Sequence, residues 1–443
     1  MFKTMIGPGN KMTGYMRPET AQGMFINFPR LLRYFRDSLP FAAVQIGKSF
    51  RNEISPRQGV IRLREFTQAE AEIFIDPRDK THPRFSEVKD IKMKFYSRQG
   101  QEKGEEEEMT FGEAVEKGIV AHQTLAYYVA RTYQFLLAVG VAPDKLRFRQ
   151  HKSDEMAHYA ADCWDAEVFL DRLGWIEIVG VADRTDFDLK AHASVSKVNL
   201  SVFVHYDQPV KRQKLVVKPD FKKLGPRFKS KAKNVGEALR ALSAEELMGD
   251  TKDDKVKVVV DGETIEIEKD LFSFESVEEE VRGIEVVPHV IEPSFGIDRI
   301  LYTVLDHSYY EDVADGETRA VLRFKPAVAP IEVAVLPLMD RKELVGPAKK
   351  IQEQLRGRGM RVDYDTSGSI GRRYRRCDEA GTPYEVTVDY ETLEQGTVTI
   401  RDRDSMSQVK VPEWQVADKL QALLNASIKF HEAGDQVSPV KKE

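Results

Sequence analysis

The sequence predicts an α+β protein: a domain built on an antiparallel sheet, residues 1–325, followed by a smaller α/β domain, residues 326–443. Three observations carry that expectation. Two runs rich in β-branched and aromatic residues, Val44 to Phe50 and Ile61 to Glu72, flank the loop Ile54-Ser55-Pro56-Arg57-Gln58-Gly59, and Pro and Gly there signal strands that pair antiparallel. Past Pro326 and Pro330, strand-like and helix-like runs alternate, as they do around a mostly parallel sheet. The 443 residues also suffice for two or three separate cores.

In chain order, residues 1–76 are dense in strand-forming runs interrupted by charged residues. Residues 77–160 read as a polar insertion containing Glu105 to Glu108 and a helical pattern from Leu125 to Leu137. Apolar runs return at Trp175 to Val181 and Val198 to Val204. A second insertion is expected over about 205–285. Ten Lys or Arg residues and one acid fall between Lys211 and Lys233, which reads as a solvated segment, with a nucleic-acid-contacting arm as the alternative. Residues 287–305 begin as a strand and end as a helix. In the last domain, strands are expected at Ile331 to Leu336, Met360 to Tyr364, Tyr384 to Tyr390 and Thr397 to Asp402. Helices are expected at Lys342 to Leu355 and Trp414 to Phe430.

Composition narrows the function classes. The net charge of -5 gives no global field for a polyanion, so such a partner would have to be met by local patches. The two cysteines, Cys163 and Cys377, are far apart, which argues against a disulfide framework or a Cys-rich zinc site, and the nine histidines show no ligand-like spacing. No run approaches the ~20 apolar residues of a membrane span and no signal peptide opens the chain, so a cytoplasmic protein is expected.

The chemistry concentrates in Ile61 to Glu72. As a strand, it would present Arg62, Arg64, Phe66, Gln68, Glu70 and Glu72 on one face and a mostly apolar or small set on the other. Arginines pair with phosphates through charge-assisted bonds, a phenyl ring stacks on a base, and a carboxylate holds an ammonium group. The plainer alternative is a solvent-facing strand with scattered charges. The preceding Arg51-Asn52-Glu53 would lie across from the Arg62 end, and a hairpin gathering Arg51, Arg62 and Arg64 either repels itself or holds a polyanion.

Phe50-Arg51-Asn52-Glu53, a loop, then Arg62 and Phe66 resemble the second signature motif of class II aminoacyl-tRNA synthetases. Glu292-Pro293-Ser294-Phe295-Gly296-Ile297-Asp298-Arg299 resembles the third. Arg17-Pro18-Glu19-Thr20-Ala21-Gln22-Gly23 and Glu177-Ile178-Val179-Gly180-Val181-Ala182-Asp183-Arg184 are similar to segments of the dimeric glycyl-tRNA synthetases of archaea and eukaryotes. The likeness runs in order over nearly the whole chain, its last domain resembling an anticodon-binding domain.

The resemblance implies a class II catalytic domain, glycine activation with ATP and Mg²⁺, and transfer to tRNA(Gly). It makes Arg51 and Arg299 catalytic. Arg51 would hold the α-phosphate, Arg62 the γ-phosphate with Arg64 close by, and Phe66 and Arg299 would sandwich adenine. Asn52 and Glu53 would line the adenosine end, with Ile61, Leu63, Glu65 and Ile178 among the ATP-binding positions. Glu177, the sole charge between Trp175 and Val181, would help hold ATP and its magnesium; without the family it reads as one outward position on a strand. Glu19, Glu70, Glu292 and Ser294 would enclose glycine, with Arg184 nearby and Phe66, Gln68 and Gly296 on the same pocket. No protein nucleophile is implied.

In the last domain, Arg372-Arg373-Tyr374-Arg375-Arg376 suits single-stranded RNA or is an ordinary basic loop or helix start. The family's first motif, which builds its homodimer interface, should precede Arg17, yet only sixteen residues do so here. The reading therefore expects a lost, misassigned or separately supplied start and leaves dimerisation open. Two rivals are a synthetase for threonine, serine or proline and a non-catalytic synthetase-like nucleic-acid-binding module. The retained Arg51, Arg62 and Arg299 favour the enzyme.

Overall fold

A computed structural model of the chain describes residues 1–9, 12–56, 59–244, 247, 255–260, 262–314 and 316–437; Arg57 and Gln58 of the expected hairpin loop lie outside them. The strand-forming runs become one eight-stranded sheet. Its strands are β1 Phe41–Phe50, β2 Glu65–Ile75, β3 Lys92–Tyr96, β4 Glu107–Thr110, β5 Leu146–Gln150, β6 Asp162–Leu170, β7 Gly174–Thr185 and β8 His289–Gly296. They lie in the order β1-β2-β8-β7-β6-β5-β3-β4, and every neighbouring pair is antiparallel except β3 with β5.

The helices that frame this sheet are α1 Ala21–Ile26, α2 Gln123–Val139, α3 Phe187–Ser196 and α4 Ile297–Ser308. Local chemistry sets both ends of α2. His122 Nδ1 accepts from the Leu125 N–H at 3.1 Å, and Gly140 ends the helix at φ +105°, a left-handed conformation that glycine takes without a Cβ clash. Between those caps, Leu125, Ala126, Val129, Ala130 and Leu136 recur at helical spacing and are buried in the core with Phe95, Phe148, Trp164 and Val181. Burying each of the larger of these side chains contributes roughly 1.5–3 kcal/mol. Residues 77–160, expected as an insertion, thus supply three strands and two helices, Gln123–Val139 and the short Phe111–Glu116, to the main core.

The return strand of the predicted hairpin starts at Glu65, not Ile61. Gly59 adopts φ +56° and residues Gly59–Ile61 form a 3₁₀ turn with Ile61 buried. Arg299 Nε donates to the Ile61 carbonyl at 3.1 Å, where a strand would use that group in its ladder. Arg62 and Arg64 therefore leave the sheet, and the expected six-residue face shrinks to Phe66, Gln68, Glu70 and Glu72.

Residues 201–286 form a compact unit of their own. Its spine is a long antiparallel ribbon, Val202–Pro219 with Phe272–Val286. The front of the basic run lies on this ribbon and faces acids, as in Lys211–Glu278 at 2.6 Å and Lys218–Glu275 at 2.9 Å. Val217, Leu224, Val235, Leu239, Val258 and Ile267 make a small core. The run is regular structure with exposed ion pairs, each worth little alone.

The last domain has a six-stranded sheet of β9 Val333–Pro337, β10 Val362–Tyr364, β11 Tyr384–Val388, β12 Thr397–Asp402, β13 Gln408–Pro412 and β14 Asp435–Gln436. The order is β10-β9-β11-β12-β13-β14, and only β9 pairs in parallel, with β10 and β11. The expected mostly parallel sheet is thus antiparallel in three of its five strand pairings. Connections 389–396 and 403–407 are shorter than the roughly dozen residues a parallel crossover needs. Helices α5 Lys342–Gly357, α6 Ile370–Ala380 and α7 Val416–Leu424 cover it, the last shorter than Trp414 to Phe430. No helix among the described residues is long and apolar enough to cross a membrane.

The Arg372 to Arg376 motif opens α6, and most of it serves the fold. Buried Arg373 donates to the carbonyls of Pro337, Leu338 and Asp365. Tyr374 bonds Thr387, Arg375 reaches the Ala314 carbonyl, and Arg376 pairs with Asp365. Only Arg372 points to solvent without a side-chain bond of this kind. Further along α6, Asp378 is fully buried between two guanidiniums: Arg401 at 2.9 and 3.1 Å, and Arg319 at 3.3 Å. Arg319 comes from the hairpin Tyr309–Ala314 with Glu317–Leu322, so Asp378 ties that hairpin to the last domain. Asp378→Asn is predicted to cost about 3–5 kcal/mol of stability in urea unfolding, because Arg319 keeps only Asp312 and Arg401 only Glu385 once the buried anion that both share is gone. A loss below ~1 kcal/mol would show that water or Glu385 compensates.

Candidate active site

A cleft of about 210 Å³ opens over β2, β8, β7 and β6. Strand alternation aims Phe66, Gln68 and Glu70 of β2 into it, beside Glu292, Ser294 and Gly296 of β8. Glu177, Ile178, Gly180 and Ala182 enter from β7, and Cys163 and Asp165 from β6. Gly296 sits where the backbone comes close: a Cβ there would press to 3.2 Å on the Ile178 carbonyl.

One end is a cluster of carboxyls around a single buried guanidinium. Arg184 donates from Nη1 to Glu292 Oε2 at 2.7 Å and from Nε to Asp188 of α3 at 2.8 Å, and its Nη2 lies 3.5 Å from Glu19. The guanidinium also lies over the Tyr159 ring, 4.4 Å from its centroid. Burial works against the charge, but Glu292, Asp188 and Glu19 hold Arg184 protonated, above its ordinary range. Burial pushes Glu292 up to about 7, opposed by the charge of Arg184. Glu19 is also raised, chiefly by burial, against the pull of Arg184.

Glu70 is the most heavily bonded carboxylate here. Its Oε2 accepts from the Thr20 N–H at 2.6 Å, the Thr20 hydroxyl at 2.5 Å and the Ala21 N–H at 2.8 Å. Its Oε1 accepts from Ser294 Oγ at 3.0 Å, and Ser294 Oγ accepts from Gln68 Nε2 at 2.8 Å. Gln68 Oε1 is buried and meets no donor among the described residues.

The other end gathers arginines. Arg51 leaves β1 with its N–H on the Arg64 carbonyl at 3.0 Å and its Nε on the Pro18 carbonyl at 3.3 Å, and its guanidinium lies 5.4 Å from the Phe66 ring centroid. Arg299, in the first turn of α4, donates to the carbonyls of Ile61 and Glu177 and lies 3.7 Å from the Glu177 carboxylate. Asp298 accepts from the Thr67 N–H at 2.6 Å, pinning α4 to β2. Arg62, Ile61, Leu63 and Glu53 line the same end.

Most residues named from the sequence therefore converge. Four do not line the cleft. Asn52 and Glu65 are exposed, Glu65 near Lys48 at 3.7 Å; Arg64 is turned to the Glu53 carbonyl by its Nε at 3.1 Å; Arg184 lies behind the wall that it charges. The sequence reading missed Tyr159, Asp188, Asp298 and a trio, His151, Cys163 and Asp165, whose ligand atoms lie within 4.8 Å of one another. Pairing of β5 with β6 creates that trio, so no spacing of histidines could have revealed it. His151 Nε2 and Asp165 are 2.7 Å apart, a pairing that raises the imidazole against the effect of burial.

Comparison with known proteins gives a consistent answer. Residues 8–308 match the tRNA synthetase class II core domain (G, H, P, S and T), and residues 332–423 match an anticodon binding domain. A glycine–tRNA ligase of Methanothrix thermoacetophila is 66% identical over 441 residues, covering 100% of this chain and 75% of that protein. One from Archaeoglobus fulgidus is 54% identical, covering 98% and 75%. The fold is similar to that of a prolyl-tRNA synthetase from Cryptosporidium parvum, solved with L-proline and AMP: the TM-score is 0.51 at 15% identity, over 96% of this chain and 64% of that one. With motif segments, sheet order and relatives in agreement, the chain belongs to the class II tRNA synthetases, within their glycine–tRNA ligase family.

Proposed function

We propose that this chain is a glycine–tRNA ligase that activates glycine with ATP at the cleft and passes it to tRNA(Gly). The observation that carries the reading is the polarity of the cleft: carboxyls with one buried cation at one end, Arg51, Arg62 and Arg299 at the other. An amino acid has its ammonium and carboxylate one carbon apart, and a triphosphate continues the negative charge. Such a substrate pair matches the two ends in order. Glycine's ammonium faces Glu19, Glu70 and Glu292 and supplies the donor that Gln68 Oε1 lacks. Its carboxylate points towards Arg51.

The mechanism uses position and charge, with no protein nucleophile. A glycine carboxylate oxygen bonds the α-phosphorus in line as the bond to the β-phosphate oxygen breaks, releasing pyrophosphate and leaving glycyl-adenylate. Arg51 neutralises charge at the α-phosphate, Arg62 holds the outer phosphates, and Phe66 and Arg299 flank the base. A terminal ribose hydroxyl of tRNA then takes the glycyl group and AMP leaves. Glu177 and Asp165 offer the hard oxygen donors Mg²⁺ prefers; the surrounding cleft and the neighbouring Asp165 raise the Glu177 carboxyl, and a cation held between the two would oppose that shift. Bound with ATP, the ion supplies charge neutralisation at the phosphates. The reading carries with it a division near residue 326 between catalytic and anticodon-binding domains, a homodimer for full-length members of the family with the state of this chain left open, and a cytoplasmic location.

Three tests bear on this reading. Glycine should support ATP–pyrophosphate exchange far better than alanine or serine, because selection for a substrate without a side chain works by excluding anything larger; equal rates with serine would remove the assignment. Arg51→Ala should slow activation by ~10²–10³-fold with the fold intact by circular dichroism, and Arg51→Lys should recover little, since a point charge does not replace a planar fork. Near-normal exchange would put Arg51 outside the reaction. The third test is pH. Glu292, raised to about 7, is an anion above that pH and neutral below it, so the glycine KM should climb as pH falls through about 7. A KM that stays flat from about pH 8 to 6 would contradict a charge contact between Glu292 and the ammonium.

A further inference from the structure

Behind the carboxyl end of the cleft lies a group with no part in the scheme above. Register between β2 and β8 pairs Ile73 with Ile291 and Glu70 with Ser294, which sets Glu72 opposite Glu292. Glu72 is fully buried and Glu292 is 7% exposed. Facing carboxyl groups in a desolvated wall cannot both be anions unless cations match them. The near cation is Arg184, and its fork is taken by Glu292, Asp188 and Glu19. Both Glu72 oxygens are sealed from solvent and meet no N–H or O–H donor among the described residues. An anion there would have neither water nor donor, whereas a neutral carboxyl has an acceptor directly across the strand.

We propose that Glu72 is a positioning residue: a neutral carboxylic acid that donates its hydrogen to Glu292 and so keeps Glu292 an oriented anion facing the substrate's ammonium. The proposal rests on the reading of Glu292 as a glycine contact. Burial first, then the charge of Glu292, raise Glu72 well above the ordinary carboxyl range, in keeping with that state. Without this donor, Glu292 would keep Arg184 alone against its own burial and against Glu70 and Glu19, and would take up a proton more readily. The site would then lose the charge that meets the ammonium.

The test compares Glu72→Gln, which keeps a hydrogen donor and stays neutral, with Glu72→Leu, which removes the donor at similar size. Glycine and ATP kinetics are measured by ATP–pyrophosphate exchange, with Glu292→Gln alongside. Glu72→Gln should hold the glycine KM within about twofold. Glu72→Leu should raise it about tenfold, the scale of losing one hydrogen bond to a charged group, with the ATP KM unmoved. Infrared difference spectra of wild type minus Glu72→Gln at neutral pH should contain the carbonyl stretch of a protonated carboxyl, a measurement that needs no activity and survives a poorly folding Leu variant. Equal weakening by Gln and Leu, or no such band, would overturn the proposal, since Glu72 would then act as an anion. So would an unchanged glycine KM in Glu72→Leu while Glu292→Gln weakens glycine. If Glu292→Gln itself leaves the glycine KM unchanged, the parent reading of that residue fails, whatever the spectrum shows.

Discussion

A single buried guanidinium is the condition for the carboxyl end of the cleft. Glu19, Glu70, Asp188 and Glu292 arrive there from different elements, with Glu72 behind them on the strand that carries Glu70, and the mutual repulsion of the charged ones in a desolvated wall would open it. Arg184 is reached by three of them and is braced by the Tyr159 ring, and it can serve them because β7 lies directly beside β8 in the sheet. A buried ion cluster of this kind adds little net stability, but removing one partner is severe. Its value is that the side chains have one arrangement. The charge on Glu70 has hydrogen-bond donors from Thr20, Ala21 and Ser294 and borders the cavity.

The two ends of the cleft are mechanically one body. Ser294 and Gly296 lie on β8, and the chain runs without a break into α4, whose first turn carries Asp298 and Arg299. Asp298 holds the Thr67 N–H between Phe66 and Gln68, and Arg299 holds carbonyls of Ile61 and Glu177. A shift of α4 would therefore move the ring that flanks the base and the strand that carries Glu70 together. That rigidity suits a reaction whose barrier is lowered by placement rather than by covalent help.

How much of this was readable in the sequence depended on distance along the chain. The strand-to-helix passage from Glu292 to Arg299 is local, and apolar periodicity followed by a charged helix start is visible in a short window. The β1–β2 hairpin was readable for the same reason, but not the exact start of β2, because the bond from Arg299 to the Ile61 carbonyl joins residues far apart in sequence. Glu72 shared a face with Glu70 in the alternation pattern, yet its partner Glu292 is named only by the β2–β8 register. His151 with Cys163 and Asp165 is the same case. Polar composition made residues 77–160 look like an insertion because their apolar residues are spread over short strands and two helices, each unremarkable until packed. The basic run at Arg372 could be read as an RNA surface or as an ordinary helix start, because sequence shows charge but not the carbonyls that absorb it.

The bonding of Glu70 carries a consequence for how such an enzyme can change over generations. One oxygen of this carboxylate holds Thr20 and Ala21, so the residue that borders the amino-acid end is also the fastening of the Arg17 to Gly23 turn. Shortening Glu70 to admit a bulkier amino acid would strand three donors in a buried place, at about 1–3 kcal/mol each. A mutational step towards a new substrate is thus first a step towards an unfolded turn, and selection for folding removes it before its catalytic effect is felt. Fidelity of this kind is protected by the lineage's need for a folded protein as well as by the shape of its pocket.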